Sequence, residues 1–180
     1  MAEIVCARVN WDRTGRPFPY LRSFYDMHVG PEPGYPFGRK GLVISSAWRQ
    51  LAARHHAGML LLDGDVMIDP ADYTAMLRSI HEAPQLVHVA PVKIWPVSTK
   101  RPGWIWAHWR DEPGTRLELA PRWFSFCFTY LPRMLLVQAD RAGLRKWAYP
   151  GVDMRVSEVA QHCGIHARVV TGCWPKHMNY

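Results

Sequence analysis

Residues 59–70 read Met-Leu-Leu-Leu-Asp-Gly-Asp-Val-Met-Ile-Asp-Pro. Two carboxylates, Asp63 and Asp65, follow the apolar run Met59 to Leu62, with only Gly64 between them. Two acids at the end of a buried strand repel each other and lose hydration. That arrangement makes sense when a cation sits between them. Two oxygen ligands, with room left for phosphate oxygens, suit a hard divalent ion such as Mg²⁺ or Mn²⁺. A nucleotide diphosphate is the expected partner. The plainer reading of the same residues is a polar turn after a core strand.

The elements that must hold these acids are legible on either side. Four consecutive apolar residues predict a strand buried on both faces, and Gly64 breaks it. Asp69-Pro70 opens a helix, with Asp69 as N-cap and Pro70 at the first helical position, continuing from Ala71 to Glu82. Upstream, Ile4 to Val9 reads as a first strand and Pro19 to His28 as a short helix. Leu42 to His56 carries apolar residues at helical spacing and ends at Gly58. Downstream, Leu86 to Val92 reads as a strand, and Trp123 to Leu131 alternates as one. Pro132 to Leu144 is helical, Asp153 precedes a helix over Met154 to Cys163, and Ile165 to Thr171 is a last strand. Strands alternating with helices argue for a three-layer α/β/α sandwich with a mainly parallel sheet, the later part adding antiparallel pairing. Residues 98–121 have no period and read as a mobile loop.

The 180 residues suffice for one domain spanning 1–180, and 48% of them are hydrophobic, a globular composition. No apolar run approaches the ~20 residues of a membrane span, and no signal peptide is expected at the N-terminus. Cys6, Cys127, Cys163 and Cys173 are scattered, which fits a reducing cytoplasm better than a disulfide framework. Lys and Arg number 22 against 15 Asp and Glu, a net +7 that favours polyanionic partners. The basic residues form no run, so they make no basic tail. Nine tryptophans offer stacking platforms for sugars and bases, or simply fill core space.

In this order the pieces resemble the GT-A fold glycosyltransferases. Those carry a helix, a glycine, an apolar strand, an Asp-X-Asp motif, then a helix opened by Pro. Here the counterparts are Trp48-Arg49-Gln50, Gly58, Leu60-Leu61-Leu62, Asp63-Gly64-Asp65 and Asp69-Pro70. In inverting members an acid opens a helix that closes about eleven residues later at a glycine, and Asp153 and Gly164 fit that spacing. Many members place a His after the last core strand as an extra metal ligand, and Cys173-Trp174-Pro175-Lys176-His177 is in that place. The Glu usual before the base is Val152 here.

The resemblance implies a nucleotide-diphospho-sugar transferase. It would move a hexosyl or pentosyl group from a UDP- or GDP-sugar to a hydroxyl acceptor on protein, glycan, lipid or modified nucleic acid. Asp65 would bind Mn²⁺ or Mg²⁺, Asp63 would lie near the ribose or a metal water, and His177 would complete the shell. Asp63 and Gly64 would also meet the donor. Asp153 would deprotonate the acceptor hydroxyl, favouring inversion; its position suits a helix N-cap equally. The loop after the first strand would hold the base through Asn10, Asp12 and Arg13. Arg39, Lys40 or Arg49 would contact phosphate or stand as solvated charges, and by its length and aromatic content the segment with Trp104, Trp106, His108 and Trp109 would close over the donor or stack on the acceptor.

Three rival readings compete. A haloacid-dehalogenase-type phosphatase also puts Asp-X-Asp after an apolar strand, with the first Asp as nucleophile. Its motif normally lies near the start and runs into Gly-Thr or Gly-Val, whereas Val66-Met67 follows here. A zinc module would use Cys163, His166, Cys173 and His177. A nucleic-acid-binding protein is suggested by charge and tryptophan content, without a binding motif.

Overall fold

The structure, a computed structural model, describes residues 4–9, 27–29, 44–45, 48–49, 58–63, 66–95, 104–105, 121–147 and 151–178. In chain order these hold β1 (Ile4–Val9), β2 (Met27–Val29), β3 (Gly58–Asp63), β4 (Val66–Met67) and α1 (Pro70–Glu82). Then come β5 (Val87–Val89), β6 (Val92–Trp95), β7 (Trp104–Ile105), β8 (Phe128–Pro132) and α2 (Arg133–Ala142). A 3₁₀ turn at Leu144–Lys146, α3 (Val152–His162), β9 (Ala167–Val169) and β10 (Lys176–Met178) complete them. Ile44, Ser45, Trp48 and Arg49 are helical, as their spacing predicts. No helix among the described residues is long and apolar enough to cross a membrane.

The large sheet runs β2-β1-β3-β8-β5-β9. It is mixed, not mainly parallel. β1 pairs β2 and β3 in parallel and β5 pairs β9 in parallel, but β8 opposes both β3 and β5. A smaller sheet, β4-β10-β6-β7, is built from short strands following β3, β5 and β9.

β3 shows why the sandwich has three layers. All six of its residues are buried. Met59 and Leu61 join Ile44, Trp48, Leu135, Leu136, Val156 and Ala160 on the α2/α3 face. Leu60 and Leu62 join Met76 and Ile80 on the α1 face. Each such leucine contributes about 1.5–3 kcal/mol relative to exposure. A strand covered on both sides needs no alternation, hence its continuous apolar run. Gly58 is required by close approach. A Cβ there would lie 2.6 Å from Tyr130 Oη and closer still to the Leu131 carbonyl.

α1 starts as its residues dictate. Asp69 accepts from the Asp72 N–H at 2.8 Å while Asp72 accepts from the Asp69 N–H at 3.2 Å, a reciprocal capping box behind Pro70. Asp72, Met76 and Ile80 form its buried stripe, each one turn apart.

Several boundaries differ from the sequence expectation. Met27–Val29 is a strand, not the end of a helix; the rest of that segment lies outside the described residues. Leu86 to Val92 is two strands, split at Ala90-Pro91, where proline lacks the N–H to continue a ladder. Only Phe128 onward of the Trp123 segment is strand, because residues 121–127 turn across the sheet end. Trp104–Ile105 is a short strand on β6, so the 98–121 stretch is not wholly irregular.

Candidate functional site

Asp63 ends β3 beside Val9, the end of β1. At the same edge β8 begins, with Phe128 opposite Leu62, and β5 ends at Val89. This is the carboxyl edge of the parallel strands, where α/β sheets bind ligands. Asp63 is 8% exposed, and its backbone N–H donates to the Cys127 carbonyl at 3.0 Å. Chain leaving β1 departs from this edge too. Asn10, Asp12 and Arg13, which follow, lie outside the described residues, as do Arg39, Lys40, Trp106, His108 and Trp109.

Gly64 and Asp65 also lie outside them, but both their neighbours are placed. Val66 in β4 stands opposite His177 in β10, and Met67 opposite Lys176. β10 runs parallel to β6 on its other side, with His177 opposite Ile94. The register therefore sets the His177 backbone across from the residue that follows Asp65, although 111 positions separate Val66 and His177 (177 minus 66). Among the described residues no group of three or more His, Cys, Asp or Glu could hold a metal. Asp65 and the His177 side chain fall outside that search. The donor set the sequence names, two carboxylates and an imidazole, suits Mn²⁺ chemically.

The chain between β9 and β10 is anchored on α1. The Trp174 N–H donates to Asp72 Oδ1 at 2.6 Å. Cys173 is fully buried in the α1-face core. Burial first, then the Asp72 carboxylate, push its thiol pKa far up, so it stays protonated and donates to Asp72. Asp72, 7% exposed, thus satisfies the tail and the helix start together.

Asp153 lies in the first turn of α3 and is buried. It is not the N-cap. Gly151 takes that position at φ 110°, a left-handed conformation that glycine adopts without strain. One Asp153 carboxylate oxygen accepts from the Met154 N–H at 3.0 Å. Ser157, one turn on, donates to the Asp153 carbonyl at 2.9 Å and accepts from the Phe124 N–H at 3.1 Å. Gln161 exchanges bonds with Arg122, accepting at 2.6 Å and donating at 2.8 Å. α3 is therefore strapped to the same 121–127 segment that holds Asp63.

Arg49, expected among the donor-binding residues, is engaged elsewhere. Its guanidinium donates to Asp140 Oδ2 from two nitrogens, at 2.8 and 3.1 Å. The zinc candidates do not converge: Cys163 and His166 are exposed beyond α3, while Cys173 is buried against Asp72. Asp72, Cys127 and Ser157 were not expected at the site. Asp72 had a signal, an acid three residues after an N-cap, but that reads as a helix cap and nothing more. Cys127 and Ser157 act through contacts distant in sequence and left no local mark.

No protein-family model matches the chain, and no curated protein matches its sequence. Solved structures do match it in shape. A197 from STIV superposes with a TM-score of 0.56 at 13% identity, over 93% of this chain and 83% of that one. GalNAc-T7, solved with UDP, GalNAc and Mn²⁺, superposes with a TM-score of 0.65 at 9% identity. That match covers 99% of this chain but 44% of GalNAc-T7, so the chain spans under half of that protein. A glycosyltransferase involved in glycosylating the major capsid of PBCV-1 matches at a TM-score of 0.45 and 13% identity, over 97% and 81% of the two chains. With its mixed sheet between two helical layers, the protein has a GT-A-like glycosyltransferase fold.

Proposed function

We propose that the chain, acting as one domain, transfers a sugar from a UDP- or GDP-sugar to a hydroxyl acceptor, with Mn²⁺ or Mg²⁺ as cofactor. The observation that carries this reading is the pairing of β10 with β4. It sets the His177 backbone opposite Val66, two residues from the Gly64 that follows buried Asp63. The fold supports it, as does GalNAc-T7, a neighbour solved with UDP, GalNAc and Mn²⁺.

In this reading Asp63, Asp65 and His177 hold the cation, and Gly64 lets the backbone approach the diphosphate. When bound, the cation neutralises charge developing on the leaving diphosphate. Asn10, Asp12 and Arg13 take the base and ribose at the end of β1. Asp153 accepts the proton of the attacking hydroxyl. Attack on the face opposite the leaving group inverts the anomeric centre, and one carboxylate suffices because the leaving diphosphate needs no protonation, unlike the alcohol expelled in glycoside hydrolysis.

Calorimetric titration with UDP, GDP, ADP and CDP, each with and without Mn²⁺, tests the reading. One nucleotide is expected to bind only with the metal, and Asp65→Ala to abolish that binding while leaving the fold intact. Binding of none of the four, or metal-dependent binding that survives Asp65→Ala, refutes it.

A further inference from the structure

We infer that Asp72 is a positioning residue that holds the two halves of the cation and diphosphate site in register; this rests on the function proposed above. One half is the β3–β4 connection with Asp63 and Asp65. The other is the tail with His177. Among the described residues they meet through two short strands, β4 of two residues and β10 of three. So short a pairing is marginal by itself. Asp72 supplies the missing restraint from a rigid element. It sits three residues into the helix that follows β4, with one carboxylate oxygen accepting from Asp69 N–H and the other from Trp174 N–H. Trp174 is three residues before His177. The Cys173 side chain is buried in the same core as Met76 and Ile80. A Cβ on Gly172 would sit 3.7 Å from Ala75 Cβ, so the tail lies close on α1.

The two carboxylate oxygens serve the helix start and the tail separately, whereas an amide offers one acceptor oxygen. The carboxylate accepts from three donors at once, two backbone N–H groups and a thiol, beside the positive end of α1. As a cap alone, it would need only the Asp69 contact. The 2.6 Å bond to a residue 102 positions away is additional to capping.

The test separates the two roles. Asp69→Ala removes the N-cap bond but leaves Asp72 facing Trp174. Asp72→Ala removes both. Asp72→Asn keeps an acceptor for Trp174. Each variant is titrated with Mn²⁺ at a fixed concentration of whichever of the four nucleotides binds the unaltered chain, and amide exchange is followed at residues 176–178. Asp72→Ala is expected to raise the Mn²⁺ requirement about 10-fold, the usual scale for groups supporting metal ligands, and to speed exchange at 176–178. Asp72→Asn recovers most of both, and Asp69→Ala changes neither despite a comparable loss of stability. Unaltered Mn²⁺ dependence in Asp72→Ala, or equal effects from Asp69→Ala, overturns the inference. An unaltered chain that binds none of UDP, GDP, ADP and CDP, or binds them without regard to Mn²⁺, overturns the underlying reading and this role with it.

Discussion

The backbone N–H of Asp63 donates to the Cys127 carbonyl at 3.0 Å, which fastens the acid ending β3 to a turn that also reaches α3. Three residues earlier on that turn, the Phe124 N–H donates to Ser157, whose hydroxyl donates to the Asp153 carbonyl. Asp63 and Asp153 are 90 positions apart (153 minus 63) and share this one buried support.

Ser157→Ala tests the support. It leaves the buried Phe124 N–H without its acceptor, and an orphaned buried donor costs about 1–3 kcal/mol. Urea unfolding is expected to show a loss in that range with an unchanged slope. A loss below about 0.5 kcal/mol would mean that the turn holds without Ser157.

What the sequence disclosed follows from what is local. β1 is bounded as its apolar run predicts, and Asp69-Pro70 places the α1 start because capping is settled within four residues. The unbroken Met59–Leu62 run is explained by cover on both faces. Antiparallel pairing was expected in the later part and β8 provides it, but strand direction leaves no trace in side-chain pattern, so which strand is opposed was not legible. Phe124, Ser125, Phe126 and Cys127 are all buried and alternate like a strand, yet they turn, because their partners come from α3 and β3. At the site, Asp63 and Asp153 stand out as acids. The Asp72–Trp174 bond does not, since neither residue signals a partner 102 positions away.

Arg49→Ala removes a two-nitrogen contact to Asp140, but the Arg49 side chain is 51% exposed. Burial raises the Asp140 pKa; the Ser45 hydroxyl and Arg49 guanidinium outweigh it and hold the carboxyl below its ordinary value. A lowered carboxylate pKa stabilises the fold at neutral pH, and this is lost as pH falls through that lowered value. The expected cost at neutral pH is under about 1 kcal/mol, as for exposed pairs, and it vanishes in strong acid. Thermal unfolding at both extremes checks this; an undiminished difference in acid would show that Arg49 acts by packing alone.

His88 gives a second pH dependence. It is fully buried, with Nε2 2.8 Å from the Ala83 carbonyl and Nδ1 2.9 Å from the Ser79 hydroxyl. A carbonyl only accepts, so Nε2 carries the proton, and in the neutral ring Nδ1 accepts from the Ser79 hydroxyl. Burial lowers its pKa from 6.5, the Ala83 bond offsetting part of the shift. The unfolded chain then takes up the proton first, so stability is full above pH 6.5 and falls as pH drops below it. His88→Asn is expected to be less stable near neutrality but flatter between about pH 7 and about pH 5. Parallel pH curves for the two proteins would exclude His88 as the source.

Gly58→Ala should be among the most damaging changes outside the site. The added methyl meets the Leu131 carbonyl and the Tyr130 ring, and the carbonyl belongs to a paired strand that cannot yield. Overpacking of this kind costs about 1–3 kcal/mol, occasionally more. Tyr130→Phe in the same chain should recover only part, because the carbonyl remains. Full recovery on denaturant unfolding would place the whole conflict at the hydroxyl. Tyr130 offers its own marker: burial raises its pKa from 10.0 to about 12, so its stabilising share is lost only as pH climbs above 10.0.

Asp153→Asn bears most directly on the proposed catalysis. The amide keeps an oxygen for the Met154 N–H, so the α3 start is preserved. What it loses is basicity, and general-base catalysis is worth about 10²–10⁴-fold. Metal-dependent nucleotide binding is therefore expected to match the unaltered chain, while UDP release from a UDP-sugar in the presence of hydroxyl acceptors falls by about that factor. The two readouts separate the candidate roles. A residue that only shapes the helix start would lower stability and disturb binding and turnover together. A base lowers turnover alone. An unimpaired rate would remove Asp153 from the chemistry and leave it as a first-turn acid facing the positive end of α3.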